Sequence, residues 1–126
     1  MVDIDKQISY WKENADEDWA VAQQLMGSGH TRHGLFFVHL TLEKMLKALI
    51  CKNTGDLAPR IHNLNRLIVL TGVPASLEQT DILAEMNPFH IEGRYPETLI
   101  KPPTREEAIR YMNRAEEVLQ WLKNLL

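Results

Sequence analysis

One segment in the first half of the chain, residues 34–49, constrains the fold most, because it joins a broad apolar face to a narrow polar line. Its apolar residues recur at intervals of three and four: Leu35, Val38, Leu42, Met45, Leu46 and Leu49. This periodicity is typical of an α-helix that buries one wide face. His39, Glu43 and Lys47 follow one another at intervals of four, so they lie along one line of that helix. A polar line beside an apolar face is typical of a bundle interior or of a surface that pairs with a second molecule.

The same periodicity runs through most of the chain and predicts an all-α fold. Helices are expected over residues 3–26, from 31 to between 52 and 55, and over 63–70, 76–86 and 104–126. The expected N-cap residues are Asp3, Thr31, Ser76 and Thr104. Ser76 and Thr104 each precede a Gln or Glu by three positions, which is the spacing of a capping box.

Short turns between these helices predict an antiparallel up-and-down bundle of four to five helices. The full chain, residues 1–126, is expected to form a single domain. Residues 87–103 differ from the rest because they contain Pro88, Gly93, Pro96, Pro102 and Pro103. We expect an irregular loop there, and long loops in compact domains are often functional.

Composition excludes several classes of protein. A hydrophobic content of 44% with 25% charged residues argues against disorder, and a net charge of −3 argues against a strongly basic nucleic-acid binder. The single cysteine, Cys51, allows neither an intrachain disulfide nor a cysteine-based zinc site. No apolar run is long enough to span a membrane, and the first residues lack the apolar core of a signal peptide. We therefore expect a cytoplasmic protein that does not contact the membrane.

Histidines beside charged residues are the candidates for chemistry. Histidine is suited to proton transfer, and arginine is suited to holding a phosphate. Two pairs have such a combination, Arg60 with His62 and His90 with Arg94, and a third pair places Glu43 one turn after His39, where it could orient the imidazole. The spacing alone does not choose among them.

Each pair also has a plainer interpretation. His39 is more often a hydrogen-bonded interior histidine, and His62 is more often a turn or capping residue. Glu43 with Lys47 can be an ordinary ion pair on a solvated or dimer-facing surface. Arg94 and the Tyr95 that follows it can serve only to fix the loop, because Tyr95 precedes a proline. His30, His33 and one acid have only a generic metal-ligand spacing, so neither a metal nor a cofactor is expected.

Three short motifs occur in order along the chain, and with the long first helix they resemble the HEPN domain family. They are Glu43-Lys44-Met45-Leu46-Lys47-Ala48, Pro59-Arg60-Ile61-His62-Asn63-Leu64 and Gly93-Arg94-Tyr95-Pro96. The similarity covers about residues 10–125 and is to the class associated with small nucleotidyltransferases. The resemblance implies a bundle of four or five helices, usually a homodimer. Apolar residues at the helix edges, including Trp11, Phe36 and Phe37, also favour a dimer.

The resemblance implies a dimeric module that binds a nucleotide or RNA and acts with a nucleotidyltransferase partner, in a toxin–antitoxin-like or defence-related setting. Its expected ligand-binding residues are Arg60, His62, Arg94, Tyr95, His39, Glu43 and Lys47. The alternative is a metal-independent ribonuclease that uses a His/Arg pair at the dimer interface, with His90 or His62 as the base and Arg94 or Arg60 holding the phosphate. Active branches of the family resemble one another in an Arg-x4-6-His motif. This chain departs from that motif, because Met86 stands where the arginine is expected before His90.

Overall fold

A computed structural model describes residues 2–92 and 103–126, and of residues 91 and 92 it describes the backbone alone. The described residues form five helices of eight or more residues and one short helix: α1 (Ile4–Gly27), α2 (Thr31–Thr54), α3 (Leu64–Thr71), α4 (Leu77–Met86), α5 (Pro88–Glu92) and α6 (Arg105–Leu125). Neither described range contains a strand. The all-α class and the helical bundle predicted from the sequence are confirmed. Within the same ranges, no helix is long and apolar enough to cross a bilayer.

Most helix ends follow from local capping chemistry. The Asp3 side chain accepts a hydrogen bond from the backbone N–H of Lys6, and both predicted capping boxes, at Ser76 and at Thr104, are present. The prediction for α2 was wrong by one residue. His30 is the N-cap instead of Thr31, because the carbonyl of His30 already accepts the first helical hydrogen bond, at 2.8 Å.

The segment after α4 is more regular than the prolines indicated. We expected residues 87–103 to be irregular, but Pro88–Glu92 is helical. Proline is tolerated at the first position of a helix, because its missing N–H would have no helical partner there. The rest of the expected loop, residues 93–102, lies outside the described residues.

Asn87 fixes the junction between α4 and α5 to the start of α3. Its Oδ1 accepts from the backbone N–H of Leu64 at 2.8 Å, and its Nδ2 donates to Oδ1 of Asn65 at 2.9 Å. The first bond satisfies one of the N–H groups that a helix leaves unpaired at its beginning. Asn87 therefore sets where α5, and with it His90, lies against the bundle.

Helix α2 is the centre of the bundle. It contacts each of the other five helices, and 14 of its 24 residues are buried. The predicted apolar face is confirmed, because all six of its residues are no more than 1% exposed: Leu35, Val38, Leu42, Met45, Leu46 and Leu49. The polar line beside this face consequently also lies in the interior of the bundle.

Candidate functional site

The polar line of α2 is buried. His39, Glu43 and Lys47 are 0%, 4% and 5% exposed. The ammonium Nζ of Lys47 donates to Oε2 of Glu43 at 3.1 Å and lies 5.3 Å from the ring centroid of Trp11. Burial of a charge is unfavourable unless a partner compensates it, and each of these two residues supplies that partner. In this chain the pair is therefore interior, and the interpretation as a solvated surface pair is wrong.

His62 reaches this buried pair from the turn before α3. Its Nδ1 lies 3.2 Å and 3.1 Å from the two carboxylate oxygens of Glu43. Its side chain nevertheless remains 55% exposed. Arg60 lies on the exposed side of the same turn.

His90 lies among the other aromatic rings of the site. Its ring centroid is 4.5 Å from that of His62 and 6.0 Å from that of Phe36, stacked in both cases. The ring of His39 lies 5.0 Å away and is tilted by 30°. Three of the five histidines thus meet around Glu43. We call His39, His62 and His90, together with Glu43 and Lys47, the histidine cluster.

His39 is the most deeply buried member of the histidine cluster. Its Nδ1 is 3.7 Å from Oε1 of Glu43, too far for a hydrogen bond, and neither ring nitrogen has a hydrogen-bond partner among the described residues. Burial, followed by the electrostatic effect of His90, lowers the pKa of His39 to about 3, while an interaction with the His62 backbone acts in the opposite direction. His39 is therefore neutral near pH 7. The hydrogen bond expected of an interior histidine is not formed within this part of the chain.

In the structure, the histidines of the three candidate pairs lie close together. His39 with Glu43, His62 and His90 belong to one cluster instead of three separate sites. Arg94 and Tyr95 lie outside the described residues, so the expected pairing of His90 with Arg94 stays a prediction.

The position at which the family's Arg-x4-6-His motif would have its arginine is buried. Met86, which stands there, is 1% exposed and belongs to the hydrophobic core. The nearby Asn87 uses its side chain to join α3 to the helix junction. Within the described residues, this position therefore provides no cation beside His90.

Sequence reasoning did not identify the aromatic wall of the site. Trp11 covers Lys47, and Phe36 stacks on His90. A weak signal was available for Phe36, which precedes His39 by three residues and so lies on a neighbouring part of the same helix surface. No spacing could have indicated Trp11, because it belongs to α1.

Three side chains of the cluster offer metal-ligand atoms close together. One ligand atom each from His39, Glu43 and His90 lies within 4.8 Å of the other two. Two of the three residues are buried, and His90 is half-buried. No other group of this kind occurs in the described ranges.

Comparison with known proteins agrees with the fold. The structure is similar to TT1696 from Thermus thermophilus, with a TM-score of 0.81 and 21% identity over 95% of this chain and 98% of that one. It is also similar to ST0689, an archaeal HEPN homologue, with a TM-score of 0.74 and 20% identity over 93% of this chain and 95% of the other. At these identities the similarity concerns the fold alone. No curated protein matches the chain.

The family follows from the sequence. The model of the HEPN domain matches residues 8–125, nearly the entire chain, which confirms the resemblance found in the three motifs. This protein therefore belongs to the HEPN domain family.

Proposed function

We propose that this protein is a dimeric nucleotide- or RNA-binding module that acts with a nucleotidyltransferase partner in a toxin–antitoxin-like or defence-related setting. One observation carries the binding part of the proposal. The half-exposed ring of His62 is held in place by Glu43 on one edge and by His90 on one face. A ring fixed in this way is a preformed surface on which a base can stack.

Stacking would supply the affinity of this site. His62 stacks on His90, which also stacks on Phe36, and the His62 side chain is 55% exposed, so part of its ring is accessible to a base. Aromatic side chains that present a flat face to solvent bind unpaired bases in many RNA-binding modules. Since the His62 ring is already ordered by its neighbours, little rotational freedom is lost when a base binds.

Charge would contribute less than stacking to the affinity of the site for its ligand. Glu43 and Lys47 neutralise each other within the histidine cluster, so neither is available to a phosphate. Arg60 is exposed two residues before His62 and is the described cation that we assign to phosphate binding. With a net charge of −3 for the chain, we expect selective binding of short ligands instead of strong non-specific binding to nucleic acid.

Binding of ATP and of a short single-stranded RNA, measured by calorimetry with a chelator present, tests this proposal. Loss of one stacking partner costs about 1–3 kcal/mol. We therefore expect His62→Ala to weaken binding at least about fivefold. His30→Ala is the matched control, because His30 is exposed and its side chain makes no capping hydrogen bond. The proposal fails if the wild type binds neither ligand, or if His62→Ala and His30→Ala bind equally well.

The dimer and the partner are separate parts of the proposal. Trp11, Phe36 and Phe37 remain only partly buried in the single chain, which favours a second copy along the edge formed by α1 and α2. Light scattering should give twice the mass of the chain, and a monomer at working concentration contradicts the dimer. Co-expression with a nucleotidyltransferase encoded beside it should yield a complex. Separate elution of the two proteins contradicts the partnership.

A second candidate function, a metal-independent ribonuclease, is favoured by the contact between Glu43 and His62. A carboxylate on one nitrogen of an imidazole orients the other nitrogen for proton transfer. In this version His62, instead of the more buried His90, would be the base. RNA cleavage with metals chelated, abolished by His62→Gln and unchanged by His30→Ala, supports it. Intact RNA, while an active HEPN ribonuclease cleaves it in parallel, contradicts it.

A further inference from the structure

We propose that His39, Glu43 and His90 form a binding site for one divalent transition-metal ion of the zinc class. The proposal does not depend on the proposed nucleotide or RNA ligand. It assigns a second property to the interior of the histidine cluster, beneath the exposed ring of His62.

The geometry of the three side chains is close to that of a metal site. Ligand atoms of His39, Glu43 and His90 lie within 4.8 Å of one another, and Nδ1 of His39 is 3.7 Å from Oε1 of Glu43. Zinc binds nitrogen and oxygen at about 2.0–2.2 Å, so neighbouring ligands of a tetrahedral ion are about 3.4 Å apart. Small side-chain rotations would therefore bring the three atoms to bonding distance. The spacing of His39 and Glu43, four residues apart on α2, already places them on one helix face.

The state of His39 points to a missing ligand. The residue is 0% exposed, yet neither ring nitrogen has a hydrogen-bond partner among the described residues. Buried polar groups are nearly always paired, since an unpaired one forfeits its hydration without compensation. A metal ion bonded to one nitrogen of His39 would supply that compensation.

The donor set selects the type of metal. Two imidazoles and one carboxylate suit zinc, cobalt, nickel and copper, whereas magnesium and calcium prefer oxygen ligands alone. Three protein ligands leave one position of a tetrahedral ion open, as in catalytic zinc sites. We place that open position towards His62, because His62 stacks on His90 and is itself half exposed.

The remaining contacts of Glu43 act as an outer shell. Lys47 donates to Oε2, and His62 lies within 3.2 Å of both oxygens, whereas Oε1 is the oxygen nearer to His39. Such contacts orient the carboxylate for the ion. The positive charge of Lys47 also opposes a divalent cation nearby. We therefore expect weaker binding than at a structural zinc site made of four protein ligands.

Metal binding can be measured directly on the full chain. Protein stripped with a chelator and dialysed is titrated with Zn²⁺ by calorimetry and with Co²⁺ by visible absorption, without any nucleotide. We expect one ion per chain for both metals and no binding of Mg²⁺. Glu43→Gln and His90→Ala should each weaken Zn²⁺ binding at least about tenfold. His39→Gln should do the same.

The control removes the competing histidines. His30 and His33 are exposed, and their ring centroids lie 6.4 Å apart, so they are the alternative place for an adventitious ion. The double variant His30→Ala with His33→Ala should bind Zn²⁺ as the wild type does. Thermal melts of the ion-free variants show which of them fold. If His39→Gln does not fold, Glu43→Gln and His90→Ala decide the question.

Three results would overturn the proposal. They are an absence of Zn²⁺ binding by the wild type, unchanged binding in Glu43→Gln and His90→Ala, and loss of binding in the His30/His33 double variant. None of them bears on the nucleotide proposal, because that proposal is tested with a chelator present. A failure of one is thus distinguishable from a failure of the other.

Discussion

Nδ1 of His62 lies 3.1 Å from Oε2 of Glu43, and this contact joins the exposed part of the site to its buried part. Glu43 is 4% exposed and also holds Lys47, whereas the side chain of His62 is 55% exposed. The buried carboxylate can therefore fix an imidazole that a ligand reaches from solvent. We therefore separate a buried part of the site, which orients His62, from an exposed part, to which we assign ligand binding.

Loss of one member of the buried Glu43–Lys47 ion pair should destabilise the protein more than loss of both members. Removal of one buried partner leaves the other charge unpaired, so we expect Glu43→Leu to lower the free energy of unfolding by roughly 3–5 kcal/mol. The double variant Glu43→Leu with Lys47→Met removes both charges and should regain most of that loss. Urea denaturation of the single and double variants measures the difference. A double variant that is less stable than Glu43→Leu would contradict the interpretation of the pair as buried and mutually compensating.

Stability should fall in acid because of His39. Its pKa is lowered from 6.5 to about 3 in the folded chain, first by burial and then by the electrostatic effects of His90, His62 and Lys47, while the His62 backbone acts in the opposite direction. The unfolded chain therefore binds a proton more readily than the folded chain between those two pH values. The stabilisation is complete above pH 6.5 and is lost as the pH falls towards 3, by up to about 1.4 kcal/mol per pH unit.

Metal-free protein in chelator should show this loss as a falling denaturation midpoint between pH 7 and pH 4. His39→Gln removes the titrating group, so its midpoint should depend less steeply on pH, while Glu43, which faces the same ring, is retained. Equal slopes in His39→Gln and wild type would show that other groups cause the acid sensitivity.

Substitution of Asn87 should reduce stability and ligand binding more than substitution of an ordinary polar residue on a helix. Asn87→Ala leaves the backbone N–H of Leu64 without its acceptor, which we expect to cost about 1–2 kcal/mol of stability. Because Asn87 also fixes the start of α5, the variant should weaken ligand binding at the histidine cluster. Asn14→Ala is the matched control, since the Asn14 amide only donates to a carbonyl one turn earlier on α1. Similar stability and binding in the two variants would contradict a positioning role for Asn87.

Arg60 should contribute to affinity through phosphate. We expect Arg60→Gln to weaken binding of single-stranded RNA and to reduce the salt dependence, as the slope of log affinity against log salt, by about 0.7. Arg32→Gln removes another exposed positive charge, at the start of α2, and should leave the slope unchanged. Binding measured across a range of salt concentrations distinguishes the two. An unchanged slope in Arg60→Gln removes the residue from the proposed site.

The parts of the fold that depend on local chemistry were predictable. The periodicity of α2 and the capping boxes at Ser76 and Thr104 are determined within a few residues, and the structure confirms them. The helical start at His30 and the helix Pro88–Glu92 were not predicted. His30 caps by its backbone without a side-chain signal, and a proline that begins a helix has the same sequence appearance as one that ends it.

The convergence of the candidate site was not predictable from spacing. His62 is 19 residues from Glu43, and the contact exists only because the turn before α3 lies across α2. His90 joins them because Asn87 fixes α5 near the start of α3. These are non-local arrangements of helices, so the sequence identified the residues but not their meeting point.

The most direct test of the account is to locate the ligand on the protein by two-dimensional NMR while ATP or a short single-stranded RNA is added. We predict that the signals of His62, Arg60 and their neighbours shift together as the ligand saturates, and that those of His30 and His33 stay in place. Shifts confined to another surface, or none at all, would contradict the assignment of ligand binding to the exposed edge of the histidine cluster.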